Sequence, residues 1–187
     1  MVQQTTMSEV YERPEVKVLP RLTVREGQYE DLYLLKEVER SAQTVFEDIC
    51  SEESLMMPED LVYMVEDHKL WVAVNSANYP VGFICGFTVD GHFHIERLAV
   101  TRQYQRQGIG GALMARMTAD MKEQGFRAIT LTTTMYYPFH GPWYQSLEFF
   151  ELDDKDIGHE LAQLIGEQTP EEIDNYIPWC AMKKNIS

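Results

Sequence analysis

An α/β domain with a largely antiparallel sheet and flanking helices is the fold class that this 187-residue chain predicts. Three observations carry the expectation. β-rich runs alternate with amphipathic, helix-forming runs along the chain, without internal repeats or low-complexity tracts. An Asp90-Gly91 turn joins two of the β-rich runs as a hairpin. A glycine-rich stretch, "QYQRQGIGGAL" from Gln103 to Leu113, leads out of a strand into a long apolar segment.

The elements follow in order. "RLTVRE", Arg21 to Glu26, reads as a short strand. From Tyr29 to Ile49, Leu35, Val38, Ala42, Val45 and Ile49 recur at three- and four-residue spacing, which predicts an amphipathic helix. Pro58 suits a first helical turn and opens a second helix through about Asp67. "KLWVAVN" and "VGFICGFTV", separated by "SANYP", form a hairpin, and Asp90-Gly91 turns the chain into "HFHIERLAV" to complete a three-stranded antiparallel meander. A helix from about Ile109 to Gln124 follows, ended by Gly125. "RAITLTTT" is the next strand, "GPWYQSL" a short helix and "EFFEL" another strand. A helix near Ile157 to Ile165 and a closing strand near Trp179 to Lys183 complete the chain.

Composition narrows the function. With 44% hydrophobic and 25% charged residues, the chain suits one domain with a full-sized core, over residues 21–187. Thirty acidic against sixteen basic residues leave a formal net charge of -14. That argues against nucleic acid or an anionic membrane surface as a partner, because both demand basic faces. Cationic small molecules or basic peptides are the more natural partners, unless the excess only keeps the protein soluble. Cys50, Cys85 and Cys180 are odd in number and lack metal-ligand or redox spacing, so they read as reduced thiols of a cytoplasmic protein without a metal site. Residues 1–20 are polar, lack a basic-then-apolar leader and contain Pro14 and Pro20; they read as a flexible arm or a clasp on a neighbour.

The glycine-rich junction has a chemical meaning as well as a structural one. A strand ending at Val100, a glycine turn and a helix beginning near Ile109 place free backbone N–H groups where an anion can sit, with Arg102 and Arg106 able to add charge. It is neither a Walker loop, which needs Gly-Lys-Ser/Thr, nor the dinucleotide fingerprint, whose third glycine is missing. On pattern alone it is either a phosphate cradle or an ordinary tight turn.

The order "HIERLAV", Gln105-x-x-Gly108-x-Gly110, a long helix, a strand and "PWYQSLEFF" resembles the GNAT superfamily of acetyl-CoA-dependent N-acetyltransferases, over about Arg21 to Lys184. The resemblance implies a mixed, mostly antiparallel sheet splayed between its fourth and fifth strands, here "HFHIERLAV" and "RAITLTTT", with the thioester in the gap. It assigns the coenzyme A pyrophosphate to Gln105, Arg106, Gln107, Gly108, Ile109, Gly110 and Gly111. The backbone of Leu98, Ala99 and Val100 would pair with the pantetheine arm. Period-two alternation puts His94, Glu96 and Leu98 on one face of the fourth strand and Ile95, Arg97 and Ala99 on the other. Glu96, with His94 sharing or orienting a water, is then the expected base, where residue pattern alone favours an exposed polar pair. Tyr144 matches the family tyrosine that protonates the departing thiolate. Glu148 stands where the family's following Leu-Gly-Phe segment has glycine.

The acceptor is less defined. Tyr136, Tyr137 and Trp143, with Phe139, lie in the loop where the family's acceptor channel tends to run, and either pack that loop or hold an amine against their rings. Glu37, Glu39, Phe46 and Glu47 of the first helix are further candidates. The expectation is transfer from acetyl-CoA to a primary amine by a monomer or homodimer, the acceptor being a small aryl- or alkylamine. A protein or peptide amine, or acyl-CoA binding without catalysis, is the alternative. Cys85 has no paired base nearby in sequence and is not expected to act as a nucleophile.

Overall fold

The structure is a computed structural model that describes residues 22–44, 55–134, 140–168 and 179–187. The arm over residues 1–20 and the expected helical residues Val45 and Ile49 lie outside the described residues. The strands are β1 (Thr23–Glu26), β2 (Leu70–Val74), β3 (Pro80–Val89), β4 (His92–Val100), β5 (Ala128–Thr134), β6 (Phe150–Glu151) and β7 (Trp179–Asn185). The helices are α1 (Leu32–Gln43), α2 (Pro58–Glu66), α3 (Ile109–Glu123), α4 (His140–Ser146) and α5 (His159–Gln168).

Among the described residues these strands form one sheet in the order β1-β2-β3-β4-β5-β7-β6. Every neighbouring pair is antiparallel except β4 and β5. The expected meander is β2-β3-β4. Its second turn has positive φ at both Asp90 and Gly91, the backbone that an Asp-Gly hairpin calls for. The first helix starts three residues later than its periodicity predicts. A 3-10 turn occupies Tyr29–Asp31, where the buried Asp31 carboxylate accepts two bonds from Arg25, at 2.7 and 2.9 Å, and one from the Gln28 amide at 2.9 Å.

Strand alternation divides the core between the two faces of the sheet. On one, Ile109, Leu113, Met117 and Met121 of α3, spaced four apart, pack on Trp71, Ile84, Phe93, Ile95 and Ile129. On the other, Leu35 and Val38 of α1 and Leu61 and Met64 of α2 cover Val72, Phe83, Cys85 and Ala99. A separate cluster seats Leu161 of α5 on Val89 and Ala181. The Asp90 carboxylate holds the start of α5, accepting from the amides of Glu160 at 3.1 Å and Leu161 at 3.0 Å.

Candidate active site

The sheet opens where β4 and β5 part. Parallel pairing runs through Phe93↔Ile129, His94↔Thr130 and Ile95↔Leu131 and stops there. β4 continues beside β3 as far as Val100, and β5 beside β7 as far as Thr134. Residues 96–100 therefore show β5 a backbone edge without a strand on it. An extended chain with amide groups can occupy such an edge by adding hydrogen bonds as a strand does.

A bulge sits at the opening. β3 and β4 pair Cys85↔Arg97 and then Gly86↔Ile95, so Glu96 is an extra residue with no partner in β3. Gly86 makes this possible, since a Cβ there would stand 2.0 Å from the His94 carbonyl oxygen. The bulge corrects the face assignment that strict alternation predicts. Phe87↔His94, Cys85↔Arg97 and Phe83↔Ala99 place His94, Arg97 and Ala99 on the α1/α2 face, and Leu98 packs with Ile95 on the α3 face. Glu96 joins Arg97 in one cavity, so His94 and Glu96 do share a side of the sheet, without Leu98.

That cavity, of about 360 Å³, is walled by Leu55 and Met56 ahead of α2, Asp60 and Tyr63 on α2, Phe87 on β3, Glu96 and Arg97 on β4, and Leu164 on α5. Glu96 Oε2 is buried and has no hydrogen bond among the described residues. Burial raises the Glu96 carboxyl above its usual range; Arg97 opposes the shift and Glu39 adds to it. His94 is fully buried, with Nδ1 3.0 Å from Thr130 Oγ1 and Nε2 without a partner among the described residues. Burial pushes His94 down to about 4, so its imidazole is neutral near pH 7. A carboxylate pushed up and an imidazole pushed down divide the chemistry: Glu96 becomes the better proton acceptor of the two. Tyr63 is pushed up to about 12, first by burial, and stays a neutral phenol. The Cys85 thiol is fully buried and raised by that burial, which disfavours the nucleophilic thiolate.

At the other end of β4 the chain makes a 3-10 turn over Arg102–Tyr104, then passes through positive φ at Arg106 (61°) and Gly108 (83°). Gln105 Nε2 donates to the Val100 carbonyl at 2.9 Å and Gln107 Nε2 to the Gln103 carbonyl at 2.9 Å, pinning the turn through its own side chains. Gly108 caps α3, and the first helical bond is Ala112 N–H to Gly108 O at 3.0 Å. The amides of Ile109, Gly110 and Gly111 come before that bond and so point out of the helix start. Space around Gly108 and Gly111 is open: apart from their chain neighbours and the α3 backbone, no atom of the described residues lies within 4 Å of a Cβ added at either.

Tyr144 lies on α4, its ring 4.9 Å from that of Trp143 and 5.7 Å from that of Phe149. Burial pushes it up to about 12. Its carbonyl accepts from the amides of Leu147 at 3.0 Å and Phe149 at 3.1 Å. Glu148 between them takes φ 68°, the left-handed backbone that the glycine it replaces adopts freely. Lys184 Nζ holds this corner from β7, donating to the Leu147 carbonyl at 2.8 Å and lying 3.2 Å from Glu148 Oε2.

Trp143 is not among the residues walling the cavity; its ring lies against the start of α3, 3.4 Å from where a Gly110 Cβ would be. Phe46, Glu47, Tyr136, Tyr137 and Phe139 lie outside the described residues. Glu37 is exposed and paired with Arg40, whereas Glu39 is buried. Sequence reasoning passed over Arg97, Asp60, Tyr63, Met56 and Leu164. One signal was present for the bulge: an isolated glycine inside the apolar run "VGFICGFTV" marks such a kink.

Comparison with known proteins bears on the family and the fold. The model of the acetyltransferase (GNAT) family matches residues 29–149. A curated relative, the probable N-acetyltransferase 14 of Xenopus tropicalis, is 32% identical over 75 residues, which are 39% of this chain and 36% of that protein. Among solved structures, the PaiA N-acetyltransferase of Thermoplasma acidophilum in complex with coenzyme A matches with a TM-score of 0.66 at 19% identity, over 88% of this chain and 99% of that one. The ribosomal-protein-S18-alanine N-acetyltransferase of Escherichia coli matches with a TM-score of 0.60 at 19% identity, over 89% and 95%. The chain belongs to the acetyltransferase (GNAT) family, and its match spans about a third of the curated relative's length. Among the described residues, no helix is long and apolar enough to cross a membrane.

Proposed function

We propose that the chain transfers an acetyl group from acetyl-CoA to a primary amine, by direct attack of the amine on the thioester, and that the acceptor is a small aryl- or alkylamine. The observation that carries this reading is the coincidence of the β4–β5 opening with a bulge that turns a buried carboxylate, Glu96, toward a cavity. The residues fit the cosubstrate. Outward-facing amides of Ile109, Gly110 and Gly111, with the turn from Gln105 to Gly108, suit a pyrophosphate. The backbone of Leu98, Ala99 and Val100 suits the amide-bearing pantetheine arm.

A primary amine with a pKa of about 10 is mostly protonated at neutral pH and must lose a proton before or during attack. Glu96 takes it, directly or through a water that the His94 Nε2 helps to orient. The N–C bond forms as the C–S bond breaks, backbone amides of β4 beyond the opening favour the charge that develops on the thioester oxygen, and Tyr144 gives its phenolic proton to the departing sulfur. Leu55, Met56, Phe87 and Leu164 as apolar walls support an acceptor with an apolar body next to its amine.

The test is thiol release from acetyl-CoA across a panel of aryl-, alkyl- and peptide amines, run beside calorimetry with coenzyme A. Small amines are expected to turn over with the highest kcat/KM. A preference for peptide amines moves the assignment to protein acceptors. Tight coenzyme A binding with no thiol release from any amine leaves an acyl-CoA-binding module instead.

A further inference from the structure

Helix α1 carries a carboxylate on the stripe it turns inward. Glu39 is 2% exposed and stands beside Val38 on the face that covers the sheet. A buried carboxylate persists where partners replace its lost water, and those of Glu39 lie in two directions. Oε2 accepts the Met56 amide at 2.9 Å, and Oε1 lies 3.0 Å from Arg97 Nε, an ion pair by distance in which neither atom makes a hydrogen bond among the described residues. Both partners are walls of the cavity that Glu96 enters. Because of the bulge, Glu96 and Arg97 are consecutive yet lie on the same side of the sheet, an arrangement that ordinary alternation forbids. A guanidinium so placed is the natural counter-ion of Glu96, but its Nε faces the carboxylate from α1, and Glu96 Oε2 is left without a hydrogen bond among the described residues.

We propose that Glu39 is a positioning residue for acetyl transfer: by engaging the Arg97 guanidinium from α1, it limits that cation's hold on the adjacent Glu96 carboxylate and keeps Glu96 able to take a proton. The inference rests on Glu96 being the proton acceptor. Among the described residues, the groups around Glu96 are Arg97 and His94 on its own strand, Glu39 from α1, Asp60 and Tyr63 from α2 and the Cys85 thiol from β3. His94, Tyr63 and Cys85 are neutral near pH 7, so Arg97 is the cation in this set, Asp60 is a carboxylate on the cavity wall, and Glu39 is the buried carboxylate that faces Arg97. The same Glu39 side chain ties Met56, and with it one wall of the cavity, to α1. A contribution from packing alone is therefore real, and the test has to read charge.

The experiment follows the side-chain carboxyl carbon of Glu96 by NMR through a pH titration of the full chain, assigned by its loss in Glu96→Gln, beside kcat/KM for the best amine of the panel. Glu39→Gln is expected to lower the Glu96 midpoint by about one pH unit, because the anion that opposes Arg97 beside that carboxylate is gone. The acid limb of kcat/KM moves down with it, kcat falls several-fold, and the KM for acetyl-CoA holds. In Glu39→Gln/Arg97→Leu the midpoint returns to the wild-type value or above, a rescue that lost packing cannot produce. An unmoved midpoint in folded Glu39→Gln, or a fall that the double variant does not reverse, overturns the inference. Should Glu39→Gln not fold, Glu39→Gln/Arg97→Leu is compared with Arg97→Leu: equal Glu96 midpoints support action through Arg97, and a lower midpoint in the double variant overturns it. A Glu96→Gln enzyme with full activity sinks the proton-acceptor reading and this inference together, whereas an impaired Glu96→Gln enzyme with an unmoved midpoint in Glu39→Gln sinks this inference alone.

Discussion

Gly86 and His94 meet across β3 and β4 so closely that a Cβ on Gly86 would stand 2.0 Å from the His94 carbonyl oxygen and 2.8 Å from Phe93 Cζ. Backbone contact of this kind fixes the place where the extra residue of β4 is accommodated, and hence the direction of Glu96. Gly86→Ala must shift the backbone or move the bulge. The expected cost is about 1–3 kcal/mol of stability, the range for overpacking a filled site. Turnover should fall further than stability does, by at least tenfold at a temperature where circular dichroism shows the variant folded, with acetyl-CoA affinity retained. Wild-type kcat in Gly86→Ala would disconnect the bulge from catalysis.

Glu96 and Tyr144 separate in their response to pH. Glu96→Gln keeps size and removes proton acceptance, so kcat/KM for the amine should fall by roughly 10²–10⁴-fold at neutral pH. The loss should shrink as pH approaches the amine's own pKa, because the amine then arrives deprotonated. Tyr144 is held at about 12, so it keeps its proton through any practical assay range. The Tyr144→Phe defect should therefore persist at alkaline pH and shrink with acyl donors whose thiol is more acidic. Parallel pH profiles for the two variants would remove the distinction between base and acid.

The fold was legible where local chemistry decides it. Asp90-Gly91 specifies its own turn, and the four-residue ridge from Ile109 to Met121 specifies which face of α3 is buried. The site was legible only along β4 and the glycine turn that follows it. Period two, applied straight through Glu96, exchanges the faces of Arg97 and Leu98, because the bulge depends on what lies opposite in β3. The cavity walls from α2 and α5 reach Glu96 through tertiary packing across more than thirty residues on either side, which no local pattern encodes. Trp143 shows the same limit: its ring suits an acceptor channel by type, but the path of α4 sets it on the start of α3.

Glu148 stands in left-handed backbone, which costs a residue with a Cβ roughly 1–2 kcal/mol. Its contact with Lys184 Nζ at 3.2 Å returns little, since the Glu148 side chain is 84% exposed and such surface pairs contribute about 0–1 kcal/mol. Lys184 also keeps its bond to the Leu147 carbonyl whatever residue is at 148. Glu148→Gly should therefore stabilise the protein by about 0.5–1 kcal/mol, seen as a rise in Tm, and leave the placement of Tyr144 unchanged. A lower Tm would mean that the Lys184 contact outweighs the backbone strain.

His94 makes the stability depend on pH in a direction its burial fixes. The imidazole ordinarily titrates near 6.5 and is pushed down to about 4 in the folded chain. Between those values the unfolded chain binds a proton that the folded chain refuses, so stability rises with pH across the window. The contribution is present above about pH 6.5 and is lost as pH falls through about 4. Over the interval from pH 7.5 to 4.5 it amounts to about 2–3 kcal/mol. Glu96 and Glu39 have the opposite sign, because carboxyls raised by burial favour the folded state at low pH and oppose it as pH climbs through their folded values. Acid sensitivity in this window therefore runs against the two carboxyls and with the histidine. Urea unfolding at pH 7.5 and 4.5 tests this in wild type and His94→Gln. The variant should be less stable at pH 7.5, since Gln replaces a ring packed against Phe87, but should lose about 2–3 kcal/mol less than wild type on acidification. Equal losses in the two proteins would show that His94 titrates alike in the folded and unfolded chains, and would return it to contention with Glu96 as the group that accepts the proton.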